Sequence, residues 1–79
     1  MNREEIVEKV NEYLIDEFEI EENLLTLDAH LINDLGIESL DFVDIVVIIE
    51  KEFGFKVKRE DITKVRTLND LYSYIEMHH

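Results

Sequence analysis

Apolar residues recur at intervals of three and four over three stretches of this chain. In residues 2–18, Ile6, Val7, Val10, Tyr13, Leu14 and Phe18 keep that spacing with charged residues between them, which predicts an amphipathic helix with one buried stripe. Glu4, Glu5 and Glu8 near its start suit the positive end of the helix dipole. The period is lost over residues 19–38, where Leu25, Leu27, Leu31, Ile32 and Leu35 are scattered among Asn, Asp and Thr. That pattern predicts a long loop pinned to the core by those apolar side chains. At about twenty residues it exceeds the ~12–15 of most structureless connections, and loops of that length are often functional. Gly36 stands where the chain must turn into the next element.

Residues 39–53 support two readings. The β-branched run Ile45–Ile49 reads as a buried strand. Phe42, Ile45, Val46, Ile49 and Phe53 nevertheless share one helical face, Asp41, Asp44 and Lys51 complement a helix dipole, and Gly54 supplies a stop. Helix is the favoured reading. Leu40, Val47 and Ile48 fall off the main stripe, so this helix is apolar almost all round and is expected at the centre of the fold. Phe55–Val57 reads as a short extended link, and residues 59–64 as one irregular helical turn with Ile62 inward. Thr67-Leu-Asn-Asp70 matches a capping pattern before a last helix striped by Leu68, Leu71, Tyr72 and Ile75. The expected fold is all-α: a four-helix bundle of three longer helices and one short one, with a long loop between the first and second. Residues 1–77 form the expected domain, with His78 and His79 as a tail.

A chain of 79 residues allows one small domain that buries only ~60% of its unfolded surface. The chain has no cysteine, so packing alone must hold it. No apolar run approaches the ~20 residues of a membrane span, and no basic-then-apolar leader pattern opens the sequence, so a cytoplasmic protein without membrane insertion is expected. The net charge of −12 lies entirely in residues 1–44, where fourteen carboxylates face Arg3 and Lys9; residues 45–79 are neutral overall. Such a charge favours a soluble monomer, argues against a nucleic-acid ligand and suits a basic protein partner.

The residues that carry chemistry converge on Asp34-Leu-Gly-Ile-Glu-Ser-Leu-Asp-Phe-Val43. Ser39 follows the glycine turn, opens the apolar helix and is flanked by Glu38 and Asp41. As a hydrolase nucleophile it would need a base and an oxyanion hole. The histidines are only His30, His78 and His79, and the Gly-x-Ser-x-Gly elbow is absent, so no catalytic residue is assigned. Two readings remain: a helix cap that accepts a backbone N–H, or a point for attaching a phosphate-linked group at a helix N-terminus. Neighbouring carboxylates oppose such an anion, which suggests that they face a basic partner that installs it. No metal ligands are assigned, because Ile32 and Asn33 break the calcium-loop pattern after Asp28 and the histidines lack zinc spacing.

Asp34-x-Gly36-x-Glu38-Ser39-Leu40-Asp41, followed by a helix ending Glu50-x-x-Phe53, resembles the acyl carrier protein family, whose hallmark is Asp-x-Gly-x-Asp-Ser-Leu-Asp before an apolar helix ending Glu-x-x-Phe. The resemblance extends from about Ile6 to Ile75. It implies that the chain is not an enzyme, and that Ser39 carries 4′-phosphopantetheine, transferred from coenzyme A by a phosphopantetheinyl transferase. The thiol of that arm would hold acyl groups as thioesters for fatty-acid or related polyketide or lipid synthesis. By position it also implies that Glu38, Leu40, Asp41, Asp44, Val47 and Glu50 dock basic acyl-loading and acyl-processing enzymes. Glu38 stands for the usual aspartate, Phe42 is bulkier than usual, Lys51 replaces an acidic residue and Lys56-Val-Lys-Arg59 is basic where many fatty-acid carriers are acidic. These departures resemble a dedicated carrier of one pathway. A D-alanyl or aminoacyl carrier, and an acidic helical adaptor without prosthetic group, are the alternatives.

Overall fold

A computed structural model describes residues 2–79. Its helices are α1 (Arg3–Phe18), α2 (Asp41–Phe53), the single turn α3 (Arg59–Ile62) and α4 (Leu68–His78), and a 3-10 turn at Glu22–Leu24 interrupts the long first loop. The expected four-helix order holds. The β-branched run of α2 is helical because its period buries Ile45, Ile49 and Phe53 on one side, and packing outweighs weak local propensity. None of the helices among the described residues is long and apolar enough to cross a membrane.

α1 starts where the Asn2 side chain accepts the N–H of Glu5, and it buries Ile6, Val10 and Leu14. It packs along α4, which buries Leu68, Leu71, Tyr72 and Ile75. Arg3 clasps the two helices from outside. Its guanidinium donates to Glu76 Oε1 at 3.0 Å and Asn69 Oδ1 at 2.6 Å, and its Cζ lies 5.9 Å from the centre of the Tyr72 ring. Tyr72 in turn donates its hydroxyl to Asn11 across the same seam. α4 runs through His78, whose ring lies 4.4 Å from that of Tyr74 and 5.9 Å from that of Phe55.

Three expectations need correction. Leu40, Val43 and Val47 are 79%, 61% and 55% exposed, so α2 buries one face only and is not sunk among neighbours on all sides. The helix also begins two residues later than expected, at Asp41. In the loop, Leu31 is buried and Leu25 and Leu35 half-buried, but Leu27 and Ile32 are exposed; the deepest pins are Ile20, Ala29, Leu31 and Ile37. Backbone bonds select those pins. The Leu31 N–H donates to the Arg66 carbonyl at 2.8 Å, and the N–H groups of Leu68 and Asn69 donate to the carbonyls of Ala29 and Leu27 at 3.0 and 3.1 Å. This pairing, centred on a bridge between His30 and Thr67, stitches the long loop to the link before α4.

Both ends of the helices carry local determinants of stability. At α4, Thr67 Oγ1 accepts the Asp70 N–H at 3.1 Å while Asp70 Oδ2 accepts the N–H groups of Thr67 and Arg66 at 3.2 and 3.1 Å. Those two N–H donors, chiefly that of Arg66, hold the Asp70 carboxyl below its ordinary range. Its contribution is therefore complete above the ordinary aspartate range and is lost as pH falls through the depressed value. Asp70→Ala should lower stability by about 1 kcal/mol at neutral pH, and the gap to wild type should narrow only as pH falls from the ordinary aspartate range through the depressed value, as followed by urea unfolding across pH. At the end of α1, Glu19 adopts the left-handed conformation with φ 54°, a geometry that costs a β-carbon-bearing residue and here sets a carboxylate on the negative end of the dipole. Glu19→Gly should raise stability by about 0.5–1 kcal/mol, visible as a higher midpoint in thermal unfolding.

Candidate functional site

Ser39 is exposed just ahead of α2, and the residues on either side determine where it stands. Upstream, His30 closes a tight turn: its Nδ1 accepts the N–H groups of Ile32 and Asn33 at 3.3 and 3.1 Å, and its own N–H donates to Asp34 Oδ2 at 2.8 Å. With Nδ1 accepting, the ring proton of the neutral imidazole sits on Nε2. The N–H groups of Asp34 and Leu35 return to the His30 carbonyl, and that of Gly36 to the Ile32 carbonyl. Gly36 then takes φ 72°, which glycine adopts without steric cost, and the chain reverses so that the Ile37 N–H reaches the Leu31 carbonyl at 3.0 Å. Leu31 and Ile37 are 0% and 1% exposed, so this turn is fastened to the core immediately before Ser39.

Downstream, the N–H groups of Asp41, Phe42 and Val43 donate to the carbonyls of Glu38, Ser39 and Leu40 at 2.9, 3.2 and 3.3 Å. These three-residue closures form a tight lead-in to α2, which starts without a side-chain cap. Ser39 does not take the capping role considered for it; ahead of the helix, Asp41 Oδ2 accepts the Glu38 N–H at 3.0 Å. The Ser39 carbonyl is thus committed and its hydroxyl is not. The hydroxyl stands where helix N–H groups and the dipole favour an anion, and it faces solvent from which another protein can reach it.

The other residues singled out from the sequence divide into three groups. Leu40 and Val47 form an exposed apolar ridge on α2, completed by Val43, which sequence reasoning passed over although it lies three and four residues from them. Glu38 and Asp44 are exposed beside this ridge, with Asp41 half-buried. Their field extends to α1: the Tyr13 hydroxyl is pushed up first by burial, then by the nearby charges of Asp44, Glu17 and Asp41. Glu50 does not join them. It is half-buried, and its Oε2 accepts the Val57 N–H at 2.9 Å, which ties α2 to the link that follows it.

Ser39 stands at the rim of a groove of about 740 Å³ along α2, which Val43 and Val47 of the ridge also line. Phe42, Val46, Val57, Ile62 and Val65 supply much of its apolar wall, and His30, Arg59 and Arg66 bring polar groups to it. A smaller hollow of about 300 Å³ lies between α1 and α2, and Ser39 does not line it. The groove was not legible from the motif, because its walls come from α2, α3 and two links. No group of three or more potential metal-ligating side chains occurs among the described residues.

A family model described as a phosphopantetheine attachment site matches residues 8–75. An acyl carrier protein of Thermotoga maritima is 45% identical over 75 residues, which covers 95% of this chain and 93% of that one. Another, from Lactobacillus acidophilus, is 33% identical over 78 residues, covering 99% and 98% of the two chains. Among solved structures, the acyl carrier protein from Enterococcus faecalis superposes with a TM-score of 0.86 at 30% identity over the whole of both chains.

The two aspartates near Ser39 should separate in their effect on stability. Asp41→Ala removes the acceptor for the Glu38 N–H and should cost about 1 kcal/mol. Asp44→Ala, at an exposed position, should change stability by no more than about 0.5 kcal/mol. Urea unfolding of the two variants side by side measures the difference.

Proposed function

The chain belongs to the acyl carrier protein family, and we propose that Ser39 is the residue to which its 4′-phosphopantetheine is attached. Members of this family are carriers and not enzymes, and this chain matches their attachment-site model over residues 8–75. One observation carries the assignment to Ser39: its exposed, uncapped hydroxyl stands at the start of α2 and on the rim of an apolar groove. The residues fit the group. The Ser39 and Leu40 N–H groups bond no acceptor among the described residues and lie at the N-terminal end of α2, which suits a phosphodiester, and the groove offers apolar surface to a chain that leaves Ser39. When attached, the arm supplies a thiol that holds acyl groups as thioesters.

The protein's own residues would then do three things. The turn from His30 to Ile37 holds Ser39 away from the core, so that a partner can take hold of it. The ridge of Leu40, Val43 and Val47, flanked by Glu38, Asp41 and Asp44, offers a phosphopantetheinyl transferase or an acyl-processing enzyme an apolar strip with an acidic rim. A basic docking surface suits that strip, since complementary charge raises association rate and rejects wrong partners. The groove shelters the chain between encounters. The expected setting is cytoplasmic biosynthesis of fatty acids or related lipids, with the dedicated-carrier departures at Lys51 and residues 56–59 pointing to one pathway.

Incubation with coenzyme A and a broadly specific phosphopantetheinyl transferase should raise the intact mass of the wild type and leave Ser39→Ala unchanged. Asp44→Lys should be modified more slowly at low salt, with the difference narrowing as salt rises. An unmodified wild type, or equal modification of Ser39→Ala, overturns the assignment and leaves the acidic adaptor as the better reading.

A further inference from the structure

The groove beside Ser39 departs from the acidic character of the chain. Arg59 and Arg66 both line that groove, in a chain whose net charge is −12. Among the described residues the ion pairs are Arg3–Glu76 and Lys9–Glu52, so neither groove arginine is paired. Two carboxylates close to them in sequence are engaged elsewhere. Asp61 accepts the Tyr74 hydroxyl at 3.1 Å, and Asp70 accepts the N–H groups of Arg66 and Thr67 in the α4 cap. Asp70 also feels the Arg66 guanidinium, though as the weakest of the influences on it. His30, with its proton on Nε2, is a further donor among the groove residues.

Apolar walls with cationic groups at the boundary favour a particular kind of ligand. A plain hydrocarbon gains from Phe42, Val46 and Ile62 but gains nothing from two guanidinium groups. A chain with an apolar middle and an anionic end uses both, because guanidinium matches a carboxylate in a forked, two-bond geometry. Building on the attachment of the arm at Ser39, we propose that this carrier preferentially shelters acyl cargo whose far end bears a carboxylate, held at Arg59 and Arg66. The groove volume of about 740 Å³ lies within the ~300–1,000 Å³ of typical small-molecule sites.

The test uses full-length protein that has gained the arm by intact mass. It is charged with either a neutral straight-chain acyl group or an ω-carboxyacyl group of the same length. The rate of thioester cleavage by hydroxylamine is read for each, after correction by the same two thioesters on free pantetheine. In wild type the ω-carboxyacyl thioester should be cleaved about two- to fivefold more slowly than the neutral one, the range expected of partly exposed ion pairs, and high salt should narrow the gap. Arg59→Gln with Arg66→Gln should abolish the gap, and each single variant should reduce it, which keeps the comparison available if the double variant is unfolded by circular dichroism. Lys58→Gln with Lys64→Gln removes the same charge outside the groove and should leave the gap intact. Equal rates in wild type, or a gap that survives loss of the arginines, overturns the inference while the attachment stands. A chain that gains no mass overturns the attachment and this inference together.

Discussion

The exposed Ser39 hydroxyl makes no hydrogen bond of its own among the described residues, so its position comes from the backbone on both sides. In this protein that constraint organises the region from Ala29 to Val43. The bond from the Leu31 N–H to the Arg66 carbonyl joins the loop to the α4 side of the molecule, and the bond from the Ile37 N–H to the Leu31 carbonyl closes the turn over it. Leu31 and Ile37 bury their side chains and give those bonds a dry setting. Asp41 completes the clamp from the helix side by accepting the Glu38 N–H. Ser39 is left as the exposed residue between two fixed points.

The same loop explains how a small core tolerates so much charge. No polar or charged residue is buried among the described residues, so the fold depends on apolar contact and incurs no cost of burying unpaired ions. The fourteen carboxylates of residues 1–44 are spread over α1, the loop and the start of α2. Repulsion among them is weakened by water and salt, and under the proposed function the same field draws in a basic partner. A surface suited to docking therefore costs some stability, which helix caps such as the Thr67–Asp70 box offset locally.

How much of this was legible follows from the range of each interaction. Periodicity found α1, α2 and α4 because their buried residues repeat along a single helix, and the Thr67–Asp70 cap was readable because it closes within four residues. The loop pins were read only in part. Leu27 and Leu31 look alike in sequence, and what buries Leu31 is a backbone bond to a residue 35 positions away. Asp41 was read as a docking charge because its position in the motif shows; its bond back to Glu38 depends on the helix starting two residues later than the pattern suggested. The groove drew on α2, α3 and both links, so no local motif announced it.

These placements divide α2 by face. Ile45, Ile49 and Phe53 belong to the core, Phe42 and Val46 line the groove, and the exposed Val43 and Val47 form part of the groove wall as well as of the ridge that begins at Leu40. A helix that is apolar almost all round would ordinarily be a liability on a surface, since exposed apolar patches invite association. In this protein charge varies along the exposed strip: the carboxylates of Glu38, Asp41 and Asp44 lie near Leu40 in the chain, while Arg59 and Arg66 line the groove. Under the proposed function a basic enzyme is drawn to the carboxylates and repelled by the arginines. An anionic chain end experiences the reverse, and Val43 and Val47, shared by the ridge and the groove, are the residues at which cargo and docking would meet.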